Sequence, residues 1–331
     1  MSEPLQAAQI SANQLPVIDV SGLSSSKAQD RSAVGARIRT ACVTNGFFYV
    51  ANHGIPQGLI DAVQEQAKAL FDLPESEKRK VSKSLSNCNR GWEPLKAQSL
   101  DLNAPPDLKE TFYMGLELPL DHPAVLAGKF NCGPNLWPAD MLEFKPTMRA
   151  YHAAMRDLGE RIMLGLALSL DLPEDYFEGF NRDPLSTLRL LHYPPHPADA
   201  LSGQAGAGAH TDYGALTLLL QDSNGGLQVR DAGDTWIHAT PIPGTFIVNI
   251  GDAIARWTND LYRSTVHRVV NASGRRRYSI PFFYSGNADH PLECLPGCLK
   301  PGETPKYPTA TVAEHMMQMY QRSYGAAANA A

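Results

Sequence analysis

The sequence has no run approaching the roughly 18 consecutive apolar residues that a membrane-spanning helix requires, so a bilayer-crossing protein is not expected. Near Met1 there is no basic stretch followed by an apolar one, so no secretory signal is read and a cytoplasmic location is the expectation. Cysteine is scarce. Cys42, Cys88, Cys132, Cys294 and Cys298 are odd in number and scattered, which fits neither a disulfide framework nor paired C-x-x-C zinc knuckles, and they read as reduced structural thiols. There is no long Lys/Arg run, and the formal net charge is -5. Nucleic acid and anionic membrane surfaces are therefore not expected as main partners, and any cationic site must be local. Internal repeats and low-complexity linkers are also missing.

What is present is an ordinary globular composition, 43% hydrophobic and 19% charged over 331 residues, enough for a core that needs no staple. The chain reads as one unit with a polar start at 1–14 and an Ala-rich tail at 326–331 that fray. Between them we expect a mixed helical and strand region over 15–125, long helices over 126–184, a strand-rich core over 185–290, and a closing loop and helix over 291–325. Leu15 to Asp19 and Phe47 to Val50 are short apolar runs suited to buried strands. Val34, Ile38 and Cys42 recur at helical spacing, as do Leu59, Val63, Ala67 and Leu70, then Tyr151, Met155, Leu158, Ile162 and Leu166. From Ser186 onward the pattern changes to short apolar runs broken by Gly, Asp and Pro: Leu188 to Tyr193, Leu216 to Leu220, Leu227 to Val229, Thr235 to Ile237, Phe246 to Ile250, Thr265 to Val270 and Arg277 to Tyr284. Many short strands imply a sandwich or barrel. A packing helix is expected over Val312 to Tyr324.

The sharpest local signal is Ala209-His210-Thr211-Asp212-Tyr213. Alternate residues on a strand share a face, so His210 and Asp212 can project toward one point. By itself this is also the pattern of a surface hydrogen-bonding pair. His267, in the apolar stretch Ser264-Thr-Val-His-Arg-Val-Val270, is either a hydrogen-bonded core residue or a third ligand. Two His and one carboxylate make the facial triad of non-haem Fe(II) oxygenases, which leaves three adjacent coordination positions open; three protein ligands also suit catalytic zinc. Ten residues beyond His267, Arg277 and Ser279 again share a strand face and could take a carboxylate together. Arg277 could instead be the end of an exposed Arg275-Arg276-Arg277 run, but the alternation that continues through Ile280 to Tyr284 turns it inward.

These motifs, with Leu15-Pro-Val-Ile-Asp19, Gly46-Phe-Phe-Tyr-Val50, Asn52-His-Gly-Ile-Pro56, Asn135-Leu-Trp-Pro138 and His192-Tyr-Pro-Pro195, resemble the isopenicillin N synthase-like branch of the 2-oxoglutarate/Fe(II)-dependent oxygenases. The resemblance spans nearly the whole chain. It implies an α+β fold with a mainly β core, a distorted double-stranded β-helix (jelly roll) flanked by helices. It also implies Fe(II) at His210, Asp212 and His267, and 2-oxoglutarate held by Arg277 and Ser279, with Tyr193 as a further hydrogen-bonding partner. Leu191 stands where many plant relatives carry Asn. The implied partners are O2 and a small-molecule substrate that is hydroxylated, desaturated or cyclised while 2-oxoglutarate is decarboxylated to succinate.

Two other readings stay open at this point. One is an oxidase that uses O2 without 2-oxoglutarate and fills the Arg277 site with a substrate carboxylate; Asn89 stands where the penicillin-forming oxidase has an Arg. The other is a metal-dependent protein that binds a small acid without turnover. Arg90, Trp92, Tyr113, Arg189 and Phe283 are candidates for the substrate pocket by analogy. His53 reads as a turn histidine, Gly203-x-x-Gly206-x-Gly208 lacks the dinucleotide spacing, and Cys294 and Cys298 read as loop thiols.

Overall fold

A computed structural model describes residues 15–101, 104–196 and 204–324. The chain ends read above as fraying, and Gly203, lie outside the described residues.

The strands are β1 (Val17–Asp19), β2 (Phe47–Ala51), β3 (Gly91–Glu93), β4 (Glu110–Gly115), β5 (Pro184–Tyr193), β6 (Ala207–His210), β7 (Leu216–Gln221), β8 (Leu227–Arg230), β9 (Trp236–His238), β10 (Phe246–Ile250), β11 (His267–Val269) and β12 (Arg277–Asn287), with a short closing pair near the C-terminus. The helices are α1 (Ala28–Thr44), α2 (Gln57–Asp72), α3 (Glu75–Arg79), α4 (Pro123–Leu126), α5 (Phe144–Ser169), α6 (Glu178–Asn181), α7 (Asp252–Trp257) and α8 (Val312–Tyr324). None is long and apolar enough to cross a membrane among the described residues.

Eight strands form one large sheet in the order β1-β2-β10-β7-β12-β5-β4-β3, and four form a smaller one, β6-β11-β8-β9. Every pairing is antiparallel except β1 with β2. The period-two rule sorts the large sheet by residue parity. Even positions, among them Phe48, Val50, Leu188, Leu190, Leu218, Val248, Ile280 and Phe282, enter a core shared with α1, α2 and α5. Odd positions, among them Phe47, Tyr49, Leu191, Tyr193, Leu219 and Ile247, pack against Ala207, Leu227, Val229, Ile237 and Val269 of the small sheet. This is the jelly-roll arrangement: two sheets face to face, with helices covering the outer side of the larger.

The helices form where apolar residues recur on one stripe. α1 buries Val34, Ile38, Ala41 and Cys42, and α2 buries Ile60, Val63, Ala67, Leu70 and Phe71. α1 stops at Gly46, whose φ of +65° suits glycine; a Cβ there would lie 1.9 Å from the Arg263 carbonyl oxygen. The 126–184 stretch holds one long helix, α5, and the four-residue α6, rather than several long helices.

Several strand expectations need correction. β11 is only three residues long, and Asp212 lies two residues beyond the end of β6 rather than within a strand. β5 and β12 are longer than their apolar runs, reaching Pro184 and Asn287. β3 and β4 were not anticipated, because β4 opens on Glu110. That carboxylate is buried and satisfied by Lys78 Nζ, Trp92 Nε1 and His192 Nδ1, each at 2.8 Å. Those bonds outweigh the upward push of burial and hold its pKa below the usual range.

Candidate active site

β6 and β11 run antiparallel with His210 directly opposite His267, so the two imidazoles meet with ring centroids 4.3 Å apart. The Oδ1 of Asp212 lies 3.8 Å from Nε2 of each. All three potential ligand atoms fall within 4.8 Å of one another.

The remaining valences of these groups are already used. His210 Nδ1 lies 2.7 Å from the Gly208 carbonyl oxygen and His267 Nδ1 lies 3.1 Å from that of Thr265. A carbonyl oxygen only accepts, so each ring carries a proton on Nδ1 and turns Nε2 toward Asp212. Asp212 Oδ2 accepts from Thr217 Oγ1 at 2.5 Å and from Asn249 Nδ2 at 2.8 Å, which leaves Oδ1 toward the imidazoles. Burial, and then the neighbouring His267, push the His210 pKa down to about 3, so this ring is neutral at physiological pH. Burial pushes the Asp212 carboxyl up, but the two histidines, Thr217 and Asn249 more than offset it and keep the group ionised. Two imidazole nitrogens and one carboxylate oxygen on one side of a point are the donor set that suits a divalent transition metal with open positions.

Arg277 opens β12 opposite Tyr193 of β5, and Ser279 sits between Leu191 of β5 and Gln221 of β7. Parity turns both inward. Arg277 is 0% exposed, with its guanidinium 4.8 Å from the Tyr193 ring centroid. Its Nε donates to the Gly225 carbonyl oxygen, and Nη2 donates to Gln221 Oε1 at 3.3 Å. Gly225 and Gly226, at φ +69° and +98°, give the turn that aims that carbonyl; a Cβ on Gly226 would lie 2.7 Å from the Val270 carbonyl oxygen. Nη1 is buried with no hydrogen-bond partner among the described residues. A buried guanidinium that keeps an unused donor beside a cavity is a seat for an anion. Burial raises the Tyr193 hydroxyl pKa, so it stays a neutral donor.

One cavity of ≈60 Å³ is bordered by His210, Asp212, His267, Arg277, Ser279 and Tyr193 together. The structure thus gathers all six candidate residues in one place. A neighbouring cavity takes in Tyr113, Arg189 and Phe283. Of the remaining pocket candidates, Trp92 faces the helical core and donates to Glu110. Arg90 binds the carbonyl oxygens of Cys88 and Asn131 at 2.7 and 2.6 Å and lines a further cavity whose lining does not include His210. A much larger cleft, ≈710 Å³, is lined by Arg256, Arg263 and Arg322 and contains none of the six residues, so size does not locate the chemistry. His53 accepts from the Ile55 N–H in its turn, and all five cysteines are free.

Sequence reading missed Thr217, Asn249, Gln221 and Lys109. The first had a signal: Thr217 is the only polar residue in the run Leu216 to Leu220, at an odd position.

The family model described as "non-haem dioxygenase in morphine synthesis N-terminal" matches residues 15–140, and that of the "2OG-Fe(II) oxygenase superfamily" matches residues 184–286. A 2-oxoglutarate-Fe(II) type oxidoreductase of Emericella nidulans is 44% identical over 317 residues, covering 94% of this chain and 91% of its own. The crystal structure of a full-length Neurospora crassa protein in complex with alpha-KG and thymine matches with a TM-score of 0.83 at 32% identity, covering 96% of this chain and 99% of that one. A putative 2OG-Fe(II) oxygenase family protein from Caulobacter crescentus matches with a TM-score of 0.82 at 32% identity, covering 93% and 99%.

Proposed function

Because the chain belongs to the 2-oxoglutarate/Fe(II)-dependent oxygenase superfamily, we propose that His210, Asp212 and His267 hold its iron and that Arg277, Ser279 and Tyr193 receive its 2-oxoglutarate. The activity is that of a non-haem Fe(II) 2-oxoglutarate-dependent dioxygenase acting with O2 on a small molecule. Iron, when bound, couples oxidative decarboxylation of 2-oxoglutarate to oxidation of that substrate.

The observation that carries the assignment is the convergence of His210 Nε2, His267 Nε2 and Asp212 Oδ1 while every other polar atom of those side chains is engaged. Thr217 and Asn249 orient the carboxylate. The carbonyl oxygens of Gly208 and Thr265 fix the tautomers of the two rings. Arg277 meets the distal carboxylate of 2-oxoglutarate through its unused Nη1, with the Ser279 hydroxyl beside it, while Gly225 and Gln221 hold the guanidinium in place. Phe47, Leu191, Leu219 and Val269 line the same cavity and keep water from it. The names of the relatives support this reading over an oxidase that places its own substrate at Arg277. A net charge of -5 supports a small molecule over nucleic acid as the main partner.

The test is an anoxic titration of metal-free protein with Fe(II) and then 2-oxoglutarate, following the visible charge-transfer band of the chelated keto acid. Wild type should give a saturable band, and Arg277→Ala should need far more 2-oxoglutarate to reach it. Iron binding with no band at any concentration would move the assignment to the oxidase.

A further inference from the structure

Three arginines from three different parts of the chain line the ≈710 Å³ cleft outside the candidate active site: Arg256 of α7, Arg263 of the link between α7 and β11, and Arg322 of α8. In a chain with a net charge of -5 this is a local concentration of positive charge. None of the three pairs with a carboxylate among the described residues. Arg256 Nη2 donates to the Pro308 carbonyl oxygen, its guanidinium lies 5.4 Å from the Tyr307 ring centroid, and its Nε is buried with no hydrogen-bond partner among the described residues. Arg263 and Arg322 are exposed, the second with Nη1 4.0 Å from Met319 Sδ. The two carboxylates that line the cleft are engaged elsewhere. Asp260 pairs with Lys306 at 2.9 Å and accepts from the Tyr307 hydroxyl at 2.9 Å, and Asp252 Oδ2 accepts from Thr211 Oγ1 at 3.0 Å.

Helical spacing gives α8 two faces with different work. His315, Gln318, Met319 and Arg322 recur at three and four residues and line the cleft. Met316 and Tyr320, four residues apart, border instead the ≈80 Å³ cavity that takes in His210 and Asp212. The helix therefore stands between the two hollows. His315 Nε2, 2.9 Å from the Tyr213 carbonyl oxygen, fastens its first half, and Arg322 carries a positive charge on its last turn. Three like charges around one space repel, and an anion among them replaces that repulsion with attraction. It would draw the last turn of α8 toward α7. The cleft also borders a support of the triad, since the Asp252 N–H donates to the Asp212 carbonyl oxygen at 2.7 Å.

We propose that this cleft is an effector site for a small multivalent anion, a phosphate or a polycarboxylate, and that the bound anion clamps α8 and so firms one wall of the cavity beside the triad. Arginine suits both kinds of anion because its planar fork meets two oxygens at once. The binding stands on the three arginines alone. Its consequence for the substrate rests on the assignment of the triad to iron.

The probes are inorganic phosphate and tricarballylate, titrated calorimetrically into full-length protein loaded with Mn(II) and 2-oxoglutarate so that the Arg277 seat is already filled. Sodium chloride holds the ionic strength constant. At least one probe should bind saturably against an about tenfold molar excess of chloride, because chloride cannot bridge three guanidinium groups. Arg263→Gln and Arg322→Gln, both at exposed positions, should each weaken that binding about fivefold, and the double variant about tenfold or more. Amide hydrogen exchange in α8 (Val312–Tyr324) should slow severalfold at saturating anion in wild type and not in the double variant. Saturable binding by neither probe, or binding that the double variant keeps, overturns the site. Binding that leaves exchange in α8 unchanged overturns the clamp. Binding of one probe and not the other supports the site and names its anion. A wild type that gives no charge-transfer band with Fe(II) and 2-oxoglutarate overturns the assignment of the triad instead, and the same anion titration of metal-free protein then decides the cleft by itself.

Discussion

The two sheets contribute to the site in different ways. The small sheet supplies His210 and His267 from strands of four and three residues, at the strand ends, with Asp212 already beyond the ladder. The large sheet supplies Arg277, Ser279 and Tyr193, as well as Thr217, from long strands paired on both sides or closely flanked. The triad ligands are therefore each steadied by their own hydrogen bonds, to backbone carbonyl oxygens for His210 and His267 and from Thr217 and Asn249 for Asp212, whereas the residues of the anion seat are brought together by strand register. Register moves whole rows at once, but a supporting hydrogen bond can be removed singly. The triad should accordingly be tunable through its supports, and the Arg277 seat should behave as present or absent.

The largest effect is expected from the ligands. Asp212→Ala or His267→Ala should lower iron affinity on the order of a thousandfold or more, because two of three protein ligands cannot enclose the ion. Equilibrium dialysis checks this, with circular dichroism confirming that the sheets remain. Next comes Arg277→Ala, expected to raise the KM for 2-oxoglutarate about a hundredfold, the scale of losing one partner of a buried charge pair, while iron affinity stays within about twofold. If iron affinity fell in parallel with 2-oxoglutarate affinity, the triad and the anion seat would not be separate units. Asn249→Ala is the intermediate case. It removes one of the two donors to Asp212 Oδ2 and should weaken iron binding by roughly 10- to 100-fold, with 2-oxoglutarate affinity of the iron-loaded protein little changed.

How much of this was legible in the sequence follows from the same contrast. Strand periodicity is a local property, so the inward direction of Arg277 and Ser279 could be read from their own neighbours, and the helical stripes of α1, α2 and α5 likewise, whereas Tyr193 came from the family resemblance alone. The pairing of His210 with His267 depends on a register set between strands far apart in the chain, and no local pattern carries it; the family resemblance supplied that link. Asp212 was placed on a strand because alternation suggested it, but Oδ1 reaches the imidazoles from the turn after β6, guided by Thr217 and Asn249. β4 stayed hidden because Glu110 reads as a surface residue until Lys78, Trp92 and His192 are brought to it from three other elements. Buried polar groups are where sequence reading fails, since their partners are defined only by the fold.

The smallest expected effect lies away from both regions and isolates the scaffold. His152 of α5 is buried against Phe282, with Nε2 3.1 Å from Ser186 Oγ. Burial, then the charges of Arg90 and Arg156, lower its pKa from 6.5 to about 4. Below pH 6.5 the unfolded chain takes up a proton at this ring that the folded protein refuses, so stability from this group is present above pH 6.5 and is lost as pH falls toward 4. His152→Phe keeps the ring against Phe282 and removes the titration. Urea unfolding of the metal-free proteins at about pH 7, 5.5 and 4.5 should therefore show wild type losing stability more steeply than the variant, although the variant starts lower because Ser186 loses its partner. Parallel losses would place the acid sensitivity in other groups and leave His152 as packing alone. Because His152 touches neither the triad nor Arg277, iron and 2-oxoglutarate affinities of the variant at neutral pH should match wild type, which separates scaffold stability from the chemistry it supports.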